Sequence, residues 1–263
     1  MRRKSHMEIS NAELALQVKS LNEMHRDDSY QGMTESVQSW QAEVAEEVGQ
    51  LGLFKQSLGR RRFLLGVGGT IAGGAVLAAC GSAASSSTVT TAATPTSLPA
   101  ALTADLKVAG IAASLENLGI YAYGAGISAA TAGKLGTVPP AVVSFAQTAM
   151  AQHKDHAAAW NAILTSAGMK AVTSTDATLT PTVNALFAKV TNVTGLAQLA
   201  LQIEEIAAAT YLQAISAMST PKAIATAATI QPVELQHAAI LNYVLGQYPV
   251  PAAFATTSGA AKG

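Results

Sequence analysis

Apolar residues recur every three or four positions along four long segments in the second half of the chain, which is the spacing of an amphipathic α-helix. No segment combines strict apolar–polar alternation with flanking turn residues, so the sequence predicts no β-strand. Thr103 is expected to cap the first helix and Gly133 to end it. The predicted helices run from Thr103 to Ala132, from Pro139 to Gly168, from Gly195 to Met218 and from Pro221 to Gly246.

The connections between these helices predict their arrangement. Residues 133–138 form a short link, whereas residues 169–194 form a long one with a short predicted helix at 181–190. Two helical hairpins joined by a long crossover are one known topology of the four-helix bundle. We therefore expect an all-α four-helix bundle over residues 101–250, with the long crossover between helices two and three. A flexible tail is expected at residues 251–263.

Helical periodicity also occurs near the start of the chain, over Ser10–Asp28 and Thr34–Gln56, with charged residues between the apolar positions. Residues 1–59 are therefore expected to form a helix-prone extension without a catalytic role. Two interpretations of this extension are open. It is a cytoplasmic segment that is removed on export, or translation begins at Met33.

Charged residues make up 12% of the 263-residue chain, about half the usual share, and they are unevenly distributed. Residues 1–62 hold nine basic and nine acidic residues, and the rest of the chain holds seven of each. A net charge of zero argues against a nucleic-acid surface, which needs an excess of positive charge. The single cysteine excludes an internal disulfide framework and a multi-cysteine metal cluster.

Residues 60–80 have the layout of an export signal. Three consecutive arginines precede an uncharged apolar run of 17 residues, 63–79, which contains five glycines. This run is shorter than the ~20 apolar residues that a membrane-spanning helix needs. It also ends in small residues, as a secretory signal does. A short buried helix with an incidental cysteine is the alternative interpretation.

The details of this segment resemble two bacterial signals. Arg60 and Arg61, followed by Phe63 and Leu64, resemble a twin-arginine export signal, which carries folded proteins across the membrane. The sequence Leu-Ala-Ala-Cys that ends at Cys80 resembles a lipoprotein box. The resemblance implies export by the twin-arginine machinery, cleavage just before Cys80 and a lipid on its sulfur. The protein would then be anchored to the outer face of the cytoplasmic membrane or the cell envelope.

Residues 81–100, between this segment and the predicted bundle, contain no charged residue and few large apolar ones. Such a composition cannot bury enough surface to offset the entropy lost on ordering the chain. We expect a flexible tether with a root-mean-square span of roughly 25 Å.

Acidic and histidine side chains are few in the predicted bundle, and most lie at mid-helix. After the signal-like segment the sequence has four glutamates and three histidines. Helical spacing places Glu116 and Glu204 on apolar stripes that face the core, whereas Glu205 shares its face with glutamines. Asp155, which shares a face with Gln152, is expected on a solvated flank. A buried carboxylate without a partner costs several kcal/mol, so the core-facing acids need a cation.

Two of the helices carry potential metal ligands three residues apart, and such a pair lies on one helix face. Carboxylates together with imidazoles suit divalent or trivalent metal ions, which carboxylates can bridge and imidazoles can cap. We expect ligands from all four helices to meet at mid-bundle around a pair of ions. The predicted ligands are Glu116, His153, His156, Glu204, Glu234 and His237.

This ligand pattern resembles the ferritin-like di-metal carboxylate family over residues 101–246. Tyr123 and Tyr211 each follow a predicted glutamate ligand by seven residues, and the first of these spacings resembles that of ferritins and bacterioferritins. The chain is most similar to exported bacterial ferritin-like domain proteins and less so to cage-forming ferritins. The resemblance implies a di-iron or manganese centre. The two tyrosines then either act in redox chemistry or in support of the metal ligands, or they are core aromatic residues whose hydroxyls are hydrogen-bonded.

His153 departs from the family pattern, in which the second helix offers a bridging glutamate. A neutral imidazole cannot bridge two ions as a carboxylate does. The sequence is therefore also compatible with a weaker second position, a single metal, an inactive site or a relict bundle with hydrogen-bonded polar residues. Two functions are open: a metal-dependent oxidoreductase that reacts with oxygen or peroxide and oxidises Fe(II), and a non-catalytic lipoprotein. The second would serve in metal sequestration, stress protection or protein interaction.

Overall fold

The computed structural model describes residues 10–26, 28–51 and 97–261, which form seven α-helices and no β-strand. The helices are α1 (Asn11–Arg26), α2 (Asp28–Gln50), α3 (Ala100–Thr131), α4 (Pro140–Ser166), α5 (Thr180–Phe187), α6 (Val193–Ala217) and α7 (Pro221–Val244).

The last five helices form a bundle of two hairpins. α3 packs with α4, α6 packs with α7, and α3 also packs against α6. The short helix α5 lies in the long connection between α4 and α6. The predicted all-α four-helix bundle, with its long crossover between the second and third helices, is confirmed.

Hydrogen bonds from the first hairpin hold the long crossover in place. The side-chain amide of Asn117 donates to the Val172 carbonyl at 2.9 Å. Asn161 donates to the same carbonyl at 3.0 Å and accepts from the Val172 amide at 2.7 Å. The Asp176 amide donates to the Ser114 carbonyl at 3.0 Å. The crossover therefore has a defined path along α3 and α4, from which the second hairpin begins.

Asp105 joins the start of α3 to the short turn between α6 and α7. Its buried carboxylate accepts hydrogen bonds from the backbone amides of Ser219 and Thr220, each with an N···O distance of 2.9 Å. Buried polar groups need such hydrogen-bond partners, because an unpaired one is costly. Asp105 therefore has a structural role at one end of the bundle.

Two helix starts differ from the sequence prediction. α3 begins at Ala100, so the prediction that Thr103 is its N-cap is wrong. The Thr103 hydroxyl lies in the first turn and donates back to the Pro99 carbonyl at 3.1 Å. α6 begins before the predicted Gly195, because the Asn192 side chain accepts the Gly195 amide at 2.8 Å and caps the helix.

Two helix ends agree with the sequence prediction. Gly133 and Gly246 follow α3 and α7, each with a φ of 70°. This left-handed backbone conformation favours glycine and commonly ends helices.

The two N-terminal helices lie on the outside of the bundle. α2 packs against α4 and α7, and α1 packs against α2, α4 and α7. Leu14 and Val18 of α1 are buried there, as are Trp40 and Val44 of α2. Met33, the alternative start of translation, lies inside α2 and is buried as well. The helices of the expected extension therefore share an apolar core with the bundle.

The chain after α7 turns back along the bundle. The backbone amide of Ala261 donates to the Thr210 hydroxyl of α6 at 2.8 Å, while Tyr248 and Phe254 are exposed. Part of the segment that was expected to be a flexible tail thus lies against α6.

The signal-like segment and most of the expected tether lie outside the described residues, and so do Arg60, Arg61, Phe63, Leu64 and Cys80. Among the helices of the described ranges, none is both long enough and apolar enough to cross a membrane. Export and lipid anchoring stay predictions.

Candidate metal centre

The four long helices of the bundle bring six ionisable side chains together in its core. α3 and α6 each contribute a glutamate, α4 contributes two histidines, and α7 contributes a glutamate and a histidine. All six side chains belong to residues that are at most 1% exposed. The structure thus brings together all the ligands that the sequence predicted: Glu116, His153, His156, Glu204, Glu234 and His237.

These six side chains form two overlapping groups of four potential ligands. Within each group, one ligand atom from every residue lies within 4.8 Å of the others. His153 and Glu234 belong to both groups. Glu116 and His156 complete the first group, and Glu204 and His237 complete the second group.

In the first group, the imidazoles of α4 contact carboxylates from two different helices. His153 Nδ1 lies 2.7 Å from Glu116 Oε2. His156 Nδ1 lies 3.1 Å from Glu234 Oε1 and 3.5 Å from Glu116 Oε2. The donor atoms therefore face one another inside the bundle.

In the second group, Glu204 lies between two imidazoles. His153 Nε2 lies 3.3 Å from Glu204 Oε1, and His237 Nδ1 lies 3.3 Å from Glu204 Oε2 and 3.7 Å from Glu234 Oε2. His153 therefore directs one ring nitrogen toward each group. A ring placed in this way can provide a ligand to either position, although it stands where the family usually has a bridging carboxylate.

Each of the two tyrosines donates a hydrogen bond to the glutamate of the other helix. The Tyr123 hydroxyl of α3 donates to Glu204 Oε1 of α6, and the Tyr211 hydroxyl of α6 donates to Glu116 Oε1 of α3. Each tyrosine follows the glutamate of its own helix by seven residues, so this exchange indicates that α3 and α6 run antiparallel. Burial and the charges of the glutamates raise the pKa of both tyrosines. The hydroxyls therefore stay protonated and donate.

Burial and charge act in opposite directions on the pKa values of the cluster. Burial alone would raise the pKa of Glu116, but the charges of His156 and His153 and their hydrogen bonds lower it to about 2. Burial would lower the pKa of His156, but the charge of Glu116 and hydrogen bonding to it raise it to about 9. For His153 and His237, the carboxylate charges outweigh burial and raise the pKa. For Glu204, the charges of the imidazoles outweigh burial and lower the pKa. Metal binding has to displace these imidazolium protons, because imidazole binds metals in its neutral form.

Glu234 shows that the cluster fits a cation. Its buried carboxylate faces imidazoles of two helices: His156 Nδ1 lies 3.1 Å from Oε1, and His237 Nδ1 lies 3.7 Å from Oε2. These imidazoles lose their protons when they bind a metal, and the ion would then replace them as the positive partner of the buried carboxylate. Glu234 belongs to both groups, so it can provide a ligand to two positions. Carboxylate oxygens with imidazole nitrogens are ligands that iron and manganese accept.

Gln152 is a residue of the site that the sequence analysis missed. It is buried, although the face that it shares with Asp155 was expected to be solvated, and that expectation is wrong for Gln152. Its Oε1 atom lies 2.6 Å from His237 Nε2, while Nδ1 of the same ring faces Glu204. In the neutral ring, an Nε2–H that donates to Gln152 leaves Nδ1 without a proton and able to bind a metal. Gln152 precedes the predicted ligand His156 by one helical turn, a spacing that signals a shared face.

We expect the substitution Gln152→Leu to lower the metal affinity of the second group about 10–100-fold. The ring of His237 would lose the acceptor that fixes its orientation and its tautomer, whereas the first group would keep its affinity. Titration with Mn(II), followed by electron paramagnetic resonance, measures the two positions. Gln152→Glu keeps an acceptor oxygen and serves as the control. Wild-type affinity at both positions in Gln152→Leu would contradict this role.

A four-helix bundle with carboxylate and histidine side chains converging in its core defines the class of metal-carboxylate bundle proteins. Residues 104–247, more than half of the chain, match the family described as the ferritin-like domain. The chain belongs to this family. No curated protein and no solved structure matches the chain. The family match contains the six cluster residues and both tyrosines, and it begins after α1 and α2.

Proposed function

We propose that the bundle binds two metal ions, iron or manganese, and acts as an oxidoreductase that oxidises Fe(II) with oxygen or peroxide. The observation that carries this proposal is the sharing of His153 and Glu234 between two groups of four potential ligands. Two Fe(II) ions held by these two groups would supply the two electrons that, with two protons, reduce dioxygen to hydrogen peroxide.

In this proposal, some side chains hold the ions and others orient the side chains that hold them. The carboxylates hold the ions and balance the charge that they gain on oxidation. The tyrosine hydroxyls orient Glu116 and Glu204, and Gln152 orients the ring of His237. Burial of the whole cluster keeps bulk water away and strengthens the electrostatic interactions.

An apolar pocket beside the second group is evidence that the oxidant is small and uncharged. It lies between α3, α4, α6 and α7, and its lining includes Tyr123, Phe145 and Leu241. Tyr123 donates to Glu204, and the Phe145 ring lies edge-on to the His237 ring with centroids 6.0 Å apart. An apolar wall that reaches two residues in contact with the cluster favours dioxygen over a charged oxidant.

Metal content and iron oxidation together test the proposed function. We expect protein from its native envelope to carry stoichiometric iron or manganese in elemental analysis. We also expect the loaded protein to oxidise Fe(II) in air faster than buffer does. Glu204→Gln should abolish that acceleration, and Glu205→Gln, at an exposed position, should keep it. Stoichiometric metal without faster oxidation of Fe(II) would contradict the oxidoreductase.

A non-catalytic protein for metal sequestration, stress protection or protein interaction is the second candidate. It is favoured by the hydrogen bonds that already stabilise part of the cluster. Glu116 and Glu204 each accept a hydrogen bond from a tyrosine hydroxyl. His153 Nδ1 lies 2.7 Å from Glu116 Oε2. Such a network allows the bundle to fold without metal. Metal-free, folded protein from the native source would support this candidate over the first.

We further propose that the chain is exported by the twin-arginine machinery and anchored by a lipid on Cys80. The order of the arginines, the apolar run at 63–79 and the small residues before Cys80 supports this proposal. The bundle would then work at the outer face of the cytoplasmic membrane or in the cell envelope.

Replacement of both Arg60 and Arg61 by lysine should leave the precursor in the cytoplasm, because the signal depends on the arginine pair and not on charge alone. Arg62→Lys, which leaves that pair intact, is the matched control. Cys80→Ala should release the protein from the membrane fraction or leave it unprocessed. Cell fractionation and immunoblotting measure each outcome. If Cys80→Ala still required detergent for extraction after normal processing, the lipid anchor would be wrong.

A further inference from the structure

Two helices outside the family match lie on the bundle, and we name them the N-terminal cover: α1 (Asn11–Arg26) and α2 (Asp28–Gln50). The cover packs against α4 and α7, and residues 51–99 separate it from α3 in the sequence. All the candidate metal ligands come from α3, α4, α6 and α7. The cover is therefore an addition to the family bundle, and its described residues contribute none of these candidate ligands.

Apolar contacts account for most of the packing between the cover and the bundle. Trp40 of the cover is fully buried and lies edge-on to Trp160 of α4, with ring centroids 6.0 Å apart and planes at 87°. An amphipathic helix packed by such a stripe is typical of helix-in-groove recognition. Further buried apolar residues among the described side chains of the cover are Leu14, Val18, Met33, Val37, Val44 and Val48.

Two polar contacts fix the position of the cover on α7. The hydroxyls of Ser36 and Thr226 lie 3.1 Å apart, and Lys222 Nζ lies 3.2 Å from Glu43 Oε2. Thr226 is fully buried, and its hydroxyl also donates to the Lys222 carbonyl at 2.9 Å. The cover therefore sits in one register, as a specific ligand does.

The cover also reaches the metal centre through a short series of contacts. Trp40 packs on Trp160, and Trp160 Nε1 donates to the Tyr211 hydroxyl at 2.7 Å. That hydroxyl donates to Glu116, a predicted ligand of the first group. Loss of the cover would expose Trp160, whereas the hydrogen bonds from Trp160 to Tyr211 and from Tyr211 to Glu116 lie within the bundle.

Export of the bundle is incompatible with a permanently docked cover. The basic residues of an export signal stay on the cytoplasmic side of the membrane, so residues before Arg60 cannot cross together with the bundle. We propose that the N-terminal cover is a separable ligand of the α4–α7 face, which the folded bundle binds reversibly in the cytoplasm and leaves behind on export. This proposal rests on the proposed export signal, but reversible binding is measured on the purified protein and its failure is distinguishable from a failure of export.

Excision of the connecting segment from the purified full-length chain tests this proposal. Protease recognition sequences placed at residues 53–58 and 85–90 allow the connection between the cover and the bundle to be cut under native conditions. The chain has two tryptophans, and they pack on each other across this contact. We expect the cut pieces to co-elute at high concentration and to separate on dilution. Tryptophan emission should shift to longer wavelength as they separate and return when they are mixed again.

Two substitutions on the cover make the test specific. Trp40→Ala should weaken rebinding about thirtyfold or more, as expected for a central buried tryptophan. Leu16→Ala, at a position that is 66% exposed, should change it less than about twofold. Failure of the wild-type pieces to rebind, or release only on unfolding, would overturn the proposal, and so would equal rebinding by both variants. These results leave export untouched, because the Arg60 and Arg61 variants test it in cells.

Discussion

Addition of Mn(II) to the metal-free protein is expected to raise its melting temperature by about 5–10 °C at a hundredfold excess over the dissociation constant. An ion that binds only the folded bundle stabilises it by mass action, about 2.7 kcal/mol at this excess. It also compensates the buried carboxylates once the imidazoles have given up their protons. Glu204→Gln or His237→Ala should lower the rise to that given by the first group alone, because each removes a candidate ligand of the second group. Thermal melts with and without a chelator measure the effect.

Glu205→Gln is the matched control for this experiment, because it makes the same chemical change one residue further along α6. Glu205 is exposed whereas Glu204 is fully buried, so we expect the control to keep the metal-dependent rise. If Glu205→Gln lost the rise and Glu204→Gln kept it, the assignment of faces on α6 would be wrong by one residue. If neither substitution mattered and native protein carried no metal, the non-catalytic function would replace the oxidoreductase.

Trp160→Ala is expected to destabilise the full-length protein by about 3–5 kcal/mol. Trp160 is fully buried between the N-terminal cover and α6. Its ring stacks on Tyr211, with centroids 6.1 Å apart and planes at 21°, and it lies edge-on to Trp40. Truncation leaves a cavity and removes the hydrogen bond to the Tyr211 hydroxyl. Denaturant unfolding followed by circular dichroism measures the free energy of unfolding.

Trp160→Phe separates packing from hydrogen bonding, since it keeps an aromatic ring and removes the indole N–H. We expect its loss of stability to lie between those of the wild type and Trp160→Ala. Tyr248→Ala, an aromatic truncation at a position that is 71% exposed, should change the free energy of unfolding by less than about 0.5 kcal/mol. A loss below about 1 kcal/mol in Trp160→Ala would contradict the packing described for this residue.

Helical spacing predicted the faces of the bundle helices well. Glu204 is buried and its neighbour Glu205 is exposed, as expected from a period of 3.6 residues. The same reasoning failed for Gln152, because the face of α4 next to the predicted ligands is also covered by its neighbours in the bundle. The helix boundaries were also predicted only in part. Gly133 ends α3 as expected, whereas Asn192 caps α6 through a bond that spacing alone does not reveal.

The amphipathic pattern of α2 was visible in the sequence, but its docking site was not. A stripe that contains Trp40 and Val44 shows that the helix needs a partner surface. It does not show whether that surface belongs to another chain or to the same bundle. The edge-on contact with Trp160 decides this question for the described chain.

The sequence by itself determined the all-α bundle, its long crossover and the residues that face its core, because helical periodicity sets the direction of each side chain around its own axis. Only the tertiary structure decided the crosswise bonds of Tyr123 and Tyr211, the two-sided position of His153 and the bond between Gln152 and His237. These depend on the offset and direction of one helix relative to another. Offset and direction follow from the packing of many side chains at once, which the spacing within a single helix does not contain.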